Sequence, residues 1–303
     1  MERGRRSVPA GVGCDPNKTG ALGALSTVYR KLGRKDEAIE ALEEALRRDP
    51  DDPKHRFNRG TYYLDAGDED EAERWFRRAL EVDPDMPEPY LNLGFIARRR
   101  RDLPAAEDLY RRAAERDPDS YEPLANLGHL LLDQERYGEA GEVFGQVAQM
   151  RPGLLDVEMG LCVAACAGQR MDEVRRLLGG ILKAVYGETL TMTMPHEAGP
   201  ADLAQLLAEC ARMLLERRIV PCARLGFQSA HLLDPGSVTV ALQLGEVYRA
   251  TGEAWKAVAV YEGMIQRNPA EPELFRKLGA CYEALEAPEA AEMCAERAKA
   301  LET

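Results

Sequence analysis

Apolar side chains recur along most of the chain at spacings of three and four residues. Leu22, Leu25 and Tyr29 fall on one face of a predicted helix, and a second such stretch starts at Ala38 and continues at Leu42. Short segments containing glycine or proline separate these stretches. The pattern therefore predicts an all-α protein made of consecutive helix, turn and helix units.

The units repeat with a period of 34 residues. Prolines at 50, 84, 118 and 152, and again at 235 and 269, follow this period. Three further columns keep the same register: the glycines are Gly60, Gly94, Gly128, Gly245 and Gly279; the alanines are Ala38, Ala72, Ala106, Ala140, Ala223, Ala257 and Ala291; the large residues four places later are Leu42, Phe76, Tyr110, Phe144, Phe227 and Tyr261. Agreement of several columns indicates internal duplication.

These columns resemble the tetratricopeptide repeat family, over residues 19–303 and as about eight units. The resemblance implies a right-handed superhelical solenoid whose concave side is lined by the first helix of each pair. Helix packing explains the repeated glycine and alanine positions. Gly60 leaves room for a neighbouring helix, and Ala72 lets the second helix approach the first. Gly33, Gly67 and Gly252 are predicted to end first helices in a left-handed conformation.

The array is predicted to be interrupted after its fifth unit. That unit, 155–186, has Val174 in the alanine column and Tyr186 in place of the terminating proline, and Pro152 and Pro235 are 83 residues apart, 15 more than two periods. We place the extra residues in 187–200, as a tolerated surface loop or a functional element. The expected organisation is a flexible tail at 1–18, a first array at 19–186, an insertion and linker at 187–203, and a second array at 204–303.

Composition narrows the possible partners and the compartment. The net charge of -12 argues against broad nucleic-acid binding. No segment reaches the roughly 18 uninterrupted apolar residues of a membrane-spanning helix. Seven cysteines, an odd number without regular spacing, occur in a chain whose first residues lack a secretory signal. We therefore expect free thiols and a cytoplasmic location.

Three asparagines form the strongest candidate binding feature. Asn58, Asn92 and Asn126 are 34 residues apart, and so recur on the first helices of units two, three and four. An amide both donates and accepts hydrogen bonds, which suits it to hold the backbone of an extended peptide. The resemblance implies this role in some family members, but asparagine is also the commonest residue in this column of the family. Both interpretations remain open.

An apolar strip with polar edges is predicted beside the asparagines. It is formed by Phe57, Thr61, Leu64, Leu91, Phe95, Arg98, His129 and Leu132. Such a strip favours a groove for an extended or helical peptide, and the alternative is packing against adjacent helices. The run Arg98 to Arg101 either complements the end of its helix or pairs with an acidic ligand. Members that bind chaperone tails have lysine and asparagine where unit one has Gly23 and Thr27, so that ligand is not expected.

No catalytic or cofactor site is expected from the sequence. Cys162 and Cys166 lie four residues apart on one helix face, but no further ligands complete a metal site nearby, and two small buried thiols are favoured. The four histidines fall in different units without a nucleophile to activate.

The predicted function is a non-catalytic adaptor that binds a peptide of an unidentified partner protein along units two to four. The alternative is a scaffold that self-associates through the ends of the array, where Ala291, Ala295 and Ala298 form an apolar face.

Overall fold

A computed structural model of the chain describes residues 19–186 and 199–302. The described residues form helices in consecutive antiparallel pairs, which confirms the predicted all-α repeat architecture. In chain order the helices are α1 (Thr19–Lys31), α2 (Lys35–Arg48), α3 (Pro53–Ala66), α4 (Glu69–Val82), α5 (Pro87–Arg99), α6 (Leu103–Arg116), α7 (Glu122–Asp133), α8 (Tyr137–Met150), α9 (Leu155–Ala167), α10 (Met171–Tyr186), α11 (Pro200–Glu216), α12 (Val220–Leu233), α13 (Val238–Ala250), α14 (Ala254–Arg267), α15 (Pro272–Ala284) and α16 (Pro288–Leu301).

Local chemistry sets the ends of these helices. At the start of α3, the Asp52 carboxylate accepts a hydrogen bond from the Lys54 backbone N–H, and Pro53 occupies the first turn. Gly67 ends α3 in the left-handed conformation, with φ at 84°. The turn after α5 also uses a left-handed residue, but it is Arg101, with φ at 64°. The left-handed position of this turn is therefore not restricted to glycine, which could not be seen from Gly33, Gly67 and Gly252 in the sequence.

The described residues form two compact units, which divide between Pro123 and Leu124, and each is described by itself. In the first unit, rings of the second helices lie on glycines of the first. A Cβ added to Gly60 would come within 2.7 Å of the Phe76 ring, and one added to Gly94 within 2.6 Å of the Tyr110 ring. Both rings are completely buried. The glycine column is therefore required because an aromatic ring occupies the space of its side chain.

Ala72 lies in the same contact between α3 and α4 and is completely buried. Its backbone oxygen would be only 3.2 Å from a Cβ on Gly60, so the backbones of α3 and α4 are close together where the Ala72 side chain is buried, and a larger side chain would have to push them apart. We expect Ala72→Leu to lower the free energy of unfolding by about 1–3 kcal/mol. Urea denaturation monitored by circular dichroism measures this loss, and an unchanged midpoint would contradict the packing scheme. Ala106→Leu is the equivalent change between α5 and α6.

In the second unit, one aromatic ring packs against two glycines. Phe144 of α8 lies between Gly128 of α7 and Gly160 of α9, and a Cβ on either glycine would come within 2.7 Å of its ring. Tyr261 of α14 covers Gly245 of α13 in the same way. The helix pairs α7–α8 and α13–α14 therefore use the same ring-on-glycine contact as the first unit.

The helix α12 makes a contact that the repeat pattern did not predict. It packs against α9 as well as α11, because a Cβ on Gly226 would be 3.0 Å from Met159 Cε and 2.9 Å from Ala211 Cβ. The α9 residues Val163 and Cys166 are almost completely buried. The face of α9 that carries Met159 is therefore covered by another helix of the same unit.

Four charged side chains connect three helix pairs of the second unit. Asp133, at the end of α7, lies 3.2 Å from Arg224 of α12 and 2.7 Å from Lys256 of α14. Glu253 lies 3.3 Å from Lys256 and 3.8 Å from Arg224. Only 12% of the side-chain surface of Asp133, Arg224 and Lys256 is exposed. We call these four residues the Asp133 network.

The predicted interruption coincides with the break between α10, which ends at Tyr186, and α11, which begins at Pro200. Residues 187–198 of the insertion that we placed in 187–200, and the predicted tail at 1–18, lie outside the described residues. The predicted linker to residue 203 is too long at its end, because α11 already begins at Pro200. The division into arrays at 19–186 and 204–303 stays a prediction. None of the described helices has the length and apolar composition needed to cross a membrane.

Candidate functional site

Asn58 and Asn92 occupy the same position on the first helices of two neighbouring pairs, α3 and α5. Both side chains are half-buried. Within the described part of the chain, neither amide has a hydrogen-bond partner. Asn126, the third member of the series, lies on α7 in the second unit, is half-buried, and does have an interaction partner. The two amides of the first unit therefore have unused hydrogen-bonding capacity.

The predicted apolar strip of the first unit is partly packed and partly exposed. The Phe57 ring centroid lies 5.6 Å from that of Phe76, and Phe57 and Leu64 pack against the buried cluster that contains Ile96. Thr61 donates its hydroxyl to the Phe57 carbonyl at 3.1 Å. Leu91 and Arg98 are half-buried, and Arg98 has an interaction partner. Phe95 is the most exposed apolar member, with 43% of its surface in solvent.

The strip residues of the second unit lie in different surroundings. Leu132 is 3% exposed and borders a cavity of about 130 Å³ that Tyr248 and Trp255 also line. His129 packs edge-on against Phe144, with 5.1 Å between ring centroids. Its Nε2 lies 3.8 Å from Asp156 Oδ2 at the start of α9. Both residues are thus engaged with helices of their own unit.

The contact with His129 lowers the pKa of Asp156, because it stabilises the charged carboxylate more than burial destabilises it. The folded-state pKa therefore lies below the unfolded value of about 3.9. A group of this kind contributes stability above its unfolded pKa, and the contribution is lost as the pH falls through the folded pKa.

We therefore expect Asp156→Asn to melt at a lower temperature than the parent chain near neutral pH. The difference should shrink as the pH falls below about 4, where the parent carboxylate becomes protonated. Thermal melts between pH 7 and pH 3 test this. Glu142→Gln, on an exposed site of α8, is the control and should show no such convergence. A difference that does not vary with pH would contradict the assignment.

The arginine run at the end of α5 is partly neutralised within the first unit. Arg99 lies 2.9 Å from Glu69, and Arg100 lies 2.7 Å from Asp70 and also pairs with Glu73. The hydrogen bond with Glu73 raises the pKa of Arg100. These acidic residues belong to the first turns of α4, where negative charge is also favoured by the helix dipole. Arg98 and Arg101 have interaction partners as well, so all four arginines are engaged within the chain.

The described cysteines, six in number, are free and buried. The neighbouring Cys162 thiol and burial both raise the pKa of Cys166, and burial raises that of Cys210 to about 12. Thiols of this kind are poor nucleophiles because little thiolate forms. In the part of the chain that the structure describes, no group of three or more histidine, cysteine or acidic side chains is placed to hold a metal ion.

Sequence comparison identifies the repeats of the first half of the chain. Residues 24–87, 63–128 and 121–153 each match the family described as tetratricopeptide repeat. No curated protein is matched by the sequence.

Structural comparison finds the same fold in solved proteins. The structure reported as "Functional Characterization of Pseudomonas Aeruginosa pilF" superposes with a TM-score of 0.54 at 17% identity, covering 75% of this chain and 97% of that one. The "Crystal structure of PilW, widely conserved type IV pilus biogenesis factor" gives 0.51 at 19% identity, covering 75% of this chain and 98% of PilW. At these identities the similarity concerns the fold alone. The matched repeats identify residues 24–153 as tetratricopeptide repeats, and the paired helices and the structural similarity show that the chain is built on the tetratricopeptide repeat fold.

Proposed function

We propose that this chain is a non-catalytic adaptor that holds a peptide segment of a partner protein against α3 and α5. Tetratricopeptide repeat proteins generally mediate protein–protein interactions, which supports a protein partner. The observation that carries the finer proposal is that the half-buried amides of Asn58 and Asn92 have no hydrogen-bond partner within the described residues. A partly desolvated amide without a partner gains from binding a group that supplies one.

The chemistry of this surface suits a peptide backbone. Each amide can accept from a backbone N–H and donate to a backbone C=O, so that two amides one repeat apart bind an extended chain with little dependence on its side chains. Phe95, exposed on α5, offers apolar surface to one side chain of the ligand. Recognition would then combine backbone hydrogen bonds with one apolar contact.

The second unit offers less accessible surface to the same ligand. Leu132 is buried, and His129 is engaged with Phe144 and Asp156. We keep Asn126, His129 and Leu132 as predicted contacts, but the proposal does not depend on them. A cytoplasmic location is part of the proposal, and the free, buried thiols of the described cysteines support it.

The proposal is tested first by finding the bound segment and then by measuring its affinity. A photo-crosslinking residue at position 95 captures the partner, and mass spectrometry identifies the crosslinked peptide. The synthetic peptide is then titrated by isothermal calorimetry into the parent chain and into Asn58→Ala/Asn92→Ala. We expect at least about a tenfold loss of affinity, since each net hydrogen bond contributes about 0.5–1.5 kcal/mol.

Gln266→Ala is the matched control, because it removes an exposed amide from α14 in the second unit. Its affinity and the melting temperatures of all variants should equal those of the parent chain. Equal affinity of the double asparagine variant and the parent would refute the peptide-clasp role of the two amides.

A further inference from the structure

The last helix pair, α15 and α16, lacks the ring that covers the glycine in other pairs. Those ring contacts join Gly60 to Phe76, Gly94 to Tyr110, Gly128 to Phe144 and Gly245 to Tyr261. The residue sixteen places after Gly279 is Ala295, which is exposed. A Cβ on Gly279 would have ordinary contacts of 3.4 Å with Ala291 and Cys294. The space that a ring fills elsewhere is therefore open in this pair.

A groove of about 370 Å³ occupies this space between α15 and α16. Its apolar lining consists of Phe275, Gly279, Ala280, Ala291, Ala295 and Ala298. Charged side chains form its rim, among them Glu283 of α15 and Lys299 of α16. The volume is enough for two or three large apolar side chains, since a buried aliphatic side chain fills on the order of 100 Å³.

The first helix, α1, carries a stripe of apolar side chains, which is the kind of surface that an apolar groove can accommodate. Ala24, Val28 and Leu32 are four residues apart, so they lie on one face of α1 and its continuation. Val28 is 51% exposed and Leu32 is 65% exposed. An α-helix that presents branched apolar side chains at this spacing is suited to insert them into a groove between two other helices.

The unpaired charges beside the stripe are positive, whereas those around the groove are mixed with an excess of negative charge, because Lys299 on the rim also forms no ion pair with a described residue. Lys31 and Lys35, next to the stripe, form no ion pair with any described residue. The same holds, within the described ranges, for Glu283 on the groove rim and for Glu292 on α16, which lies one helical turn before Ala295. Opposite charges around an apolar contact favour one orientation and disfavour contacts between like surfaces. The stripe is thus better matched to the groove than to another stripe.

We propose that the α1 stripe of one copy of this chain docks into the α15–α16 groove of a second copy. The two surfaces differ, so the contact is heterologous, and each dimer keeps one free stripe and one free groove for further copies. A contact made by the three stripe side chains is small, and interfaces below about 1,200 Å² are typically weak and transient. Association is therefore expected to depend on protein concentration.

The test uses two variants that each block one surface. Val28→Asp/Leu32→Asp blocks the stripe, and Ala295→Arg blocks the groove with a bulky cation facing Lys31 and Lys35. Sedimentation velocity and light scattering should show a parent chain whose mass increases with concentration, and two variants that stay monomeric. An equimolar mixture of the variants should form a 1:1 dimer and nothing larger, because it contains one intact stripe and one intact groove.

Met293→Asp is the control, since Met293 is 71% exposed and lies on the opposite face of α16 from Ala295. It should associate like the parent chain, and circular dichroism melts should show that all variants are folded. A parent chain that stays monomeric at every concentration, a stripe variant that still self-associates, or a mixture that stays monomeric would each overturn the proposal. Because the asparagine variants leave both surfaces intact, this result is independent of the peptide titration.

Discussion

Replacing Phe144 by alanine is expected to lower the free energy of unfolding of the second unit by about 3–5 kcal/mol. The ring is completely buried and fills the space between Gly128 and Gly160, and it also packs against His129. Alanine would leave a cavity lined by backbone that cannot move inward without shifting two helices. Neither glycine has a side chain that could fill it.

Fluorescence gives a readout specific to the second unit. The chain has two tryptophans, Trp75 in the first unit and Trp255 in the second, so a Trp75→Phe background leaves only Trp255 as the reporter. Urea titrations in this background measure the loss for Phe144→Ala. The control is Met293→Ala, also in the second unit, which should change stability by at most about 0.5 kcal/mol because 71% of Met293 is exposed. Equal losses for the two variants would contradict the assignment of Phe144 to the core.

Removing the Asp133 carboxylate is expected to cost a similar amount, about 3–5 kcal/mol. Burial lowers the pKa of Arg224, but the negative charges of Asp133 and Glu253 outweigh burial and raise it. In Asp133→Ala, Arg224 and Lys256 would stay charged in a site that is 12% exposed, with Glu253 as their remaining partner. The penalty arises from two desolvated cations that repel one another.

Two further variants distinguish a buried network from an ordinary surface pair. Glu44→Ala removes the pairs with Arg47 and Arg48 on the surface of α2, and should cost at most about 1 kcal/mol. The quadruple change Asp133→Leu, Arg224→Met, Lys256→Met and Glu253→Gln replaces all four charges by neutral groups and should recover most of the stability lost in Asp133→Ala. No recovery would show that the network contributes more than charge neutralisation.

The repeat pattern was sufficient to predict the fold because its determinants are local. The pairing of Gly60 with Phe76 is a relation between residues sixteen places apart, and it recurs with the period of 34. The Asp133 network was not predictable in this way. Asp133 is 91 residues from Arg224 and 123 residues from Lys256 in the sequence, and these residues belong to no repeating column. Charged residues of this kind also look, in the sequence, like any solvated helix surface.

The candidate site was predictable in position but not in accessibility. The sequence places Phe95 and Leu132 in one strip, yet 43% of Phe95 and 3% of Leu132 is exposed. The difference depends on α12 and α14, whose residues surround the cavity beside Leu132. Asn58 and Asn92 were likewise placed correctly on first helices, but the lack of an internal hydrogen-bond partner is visible only with the surrounding side chains present.

The Asp133 network also affects the local unfolding of the second unit. An array in which each repeat contacts only its neighbours loses structure one repeat at a time, and backbone amides then exchange with solvent in graded steps along the chain. Asp133, Arg224 and Lys256 connect the fourth, sixth and seventh helix pairs, which are not all adjacent in sequence. Amides of α7, α12 and α14 are therefore expected to exchange as one cooperative block.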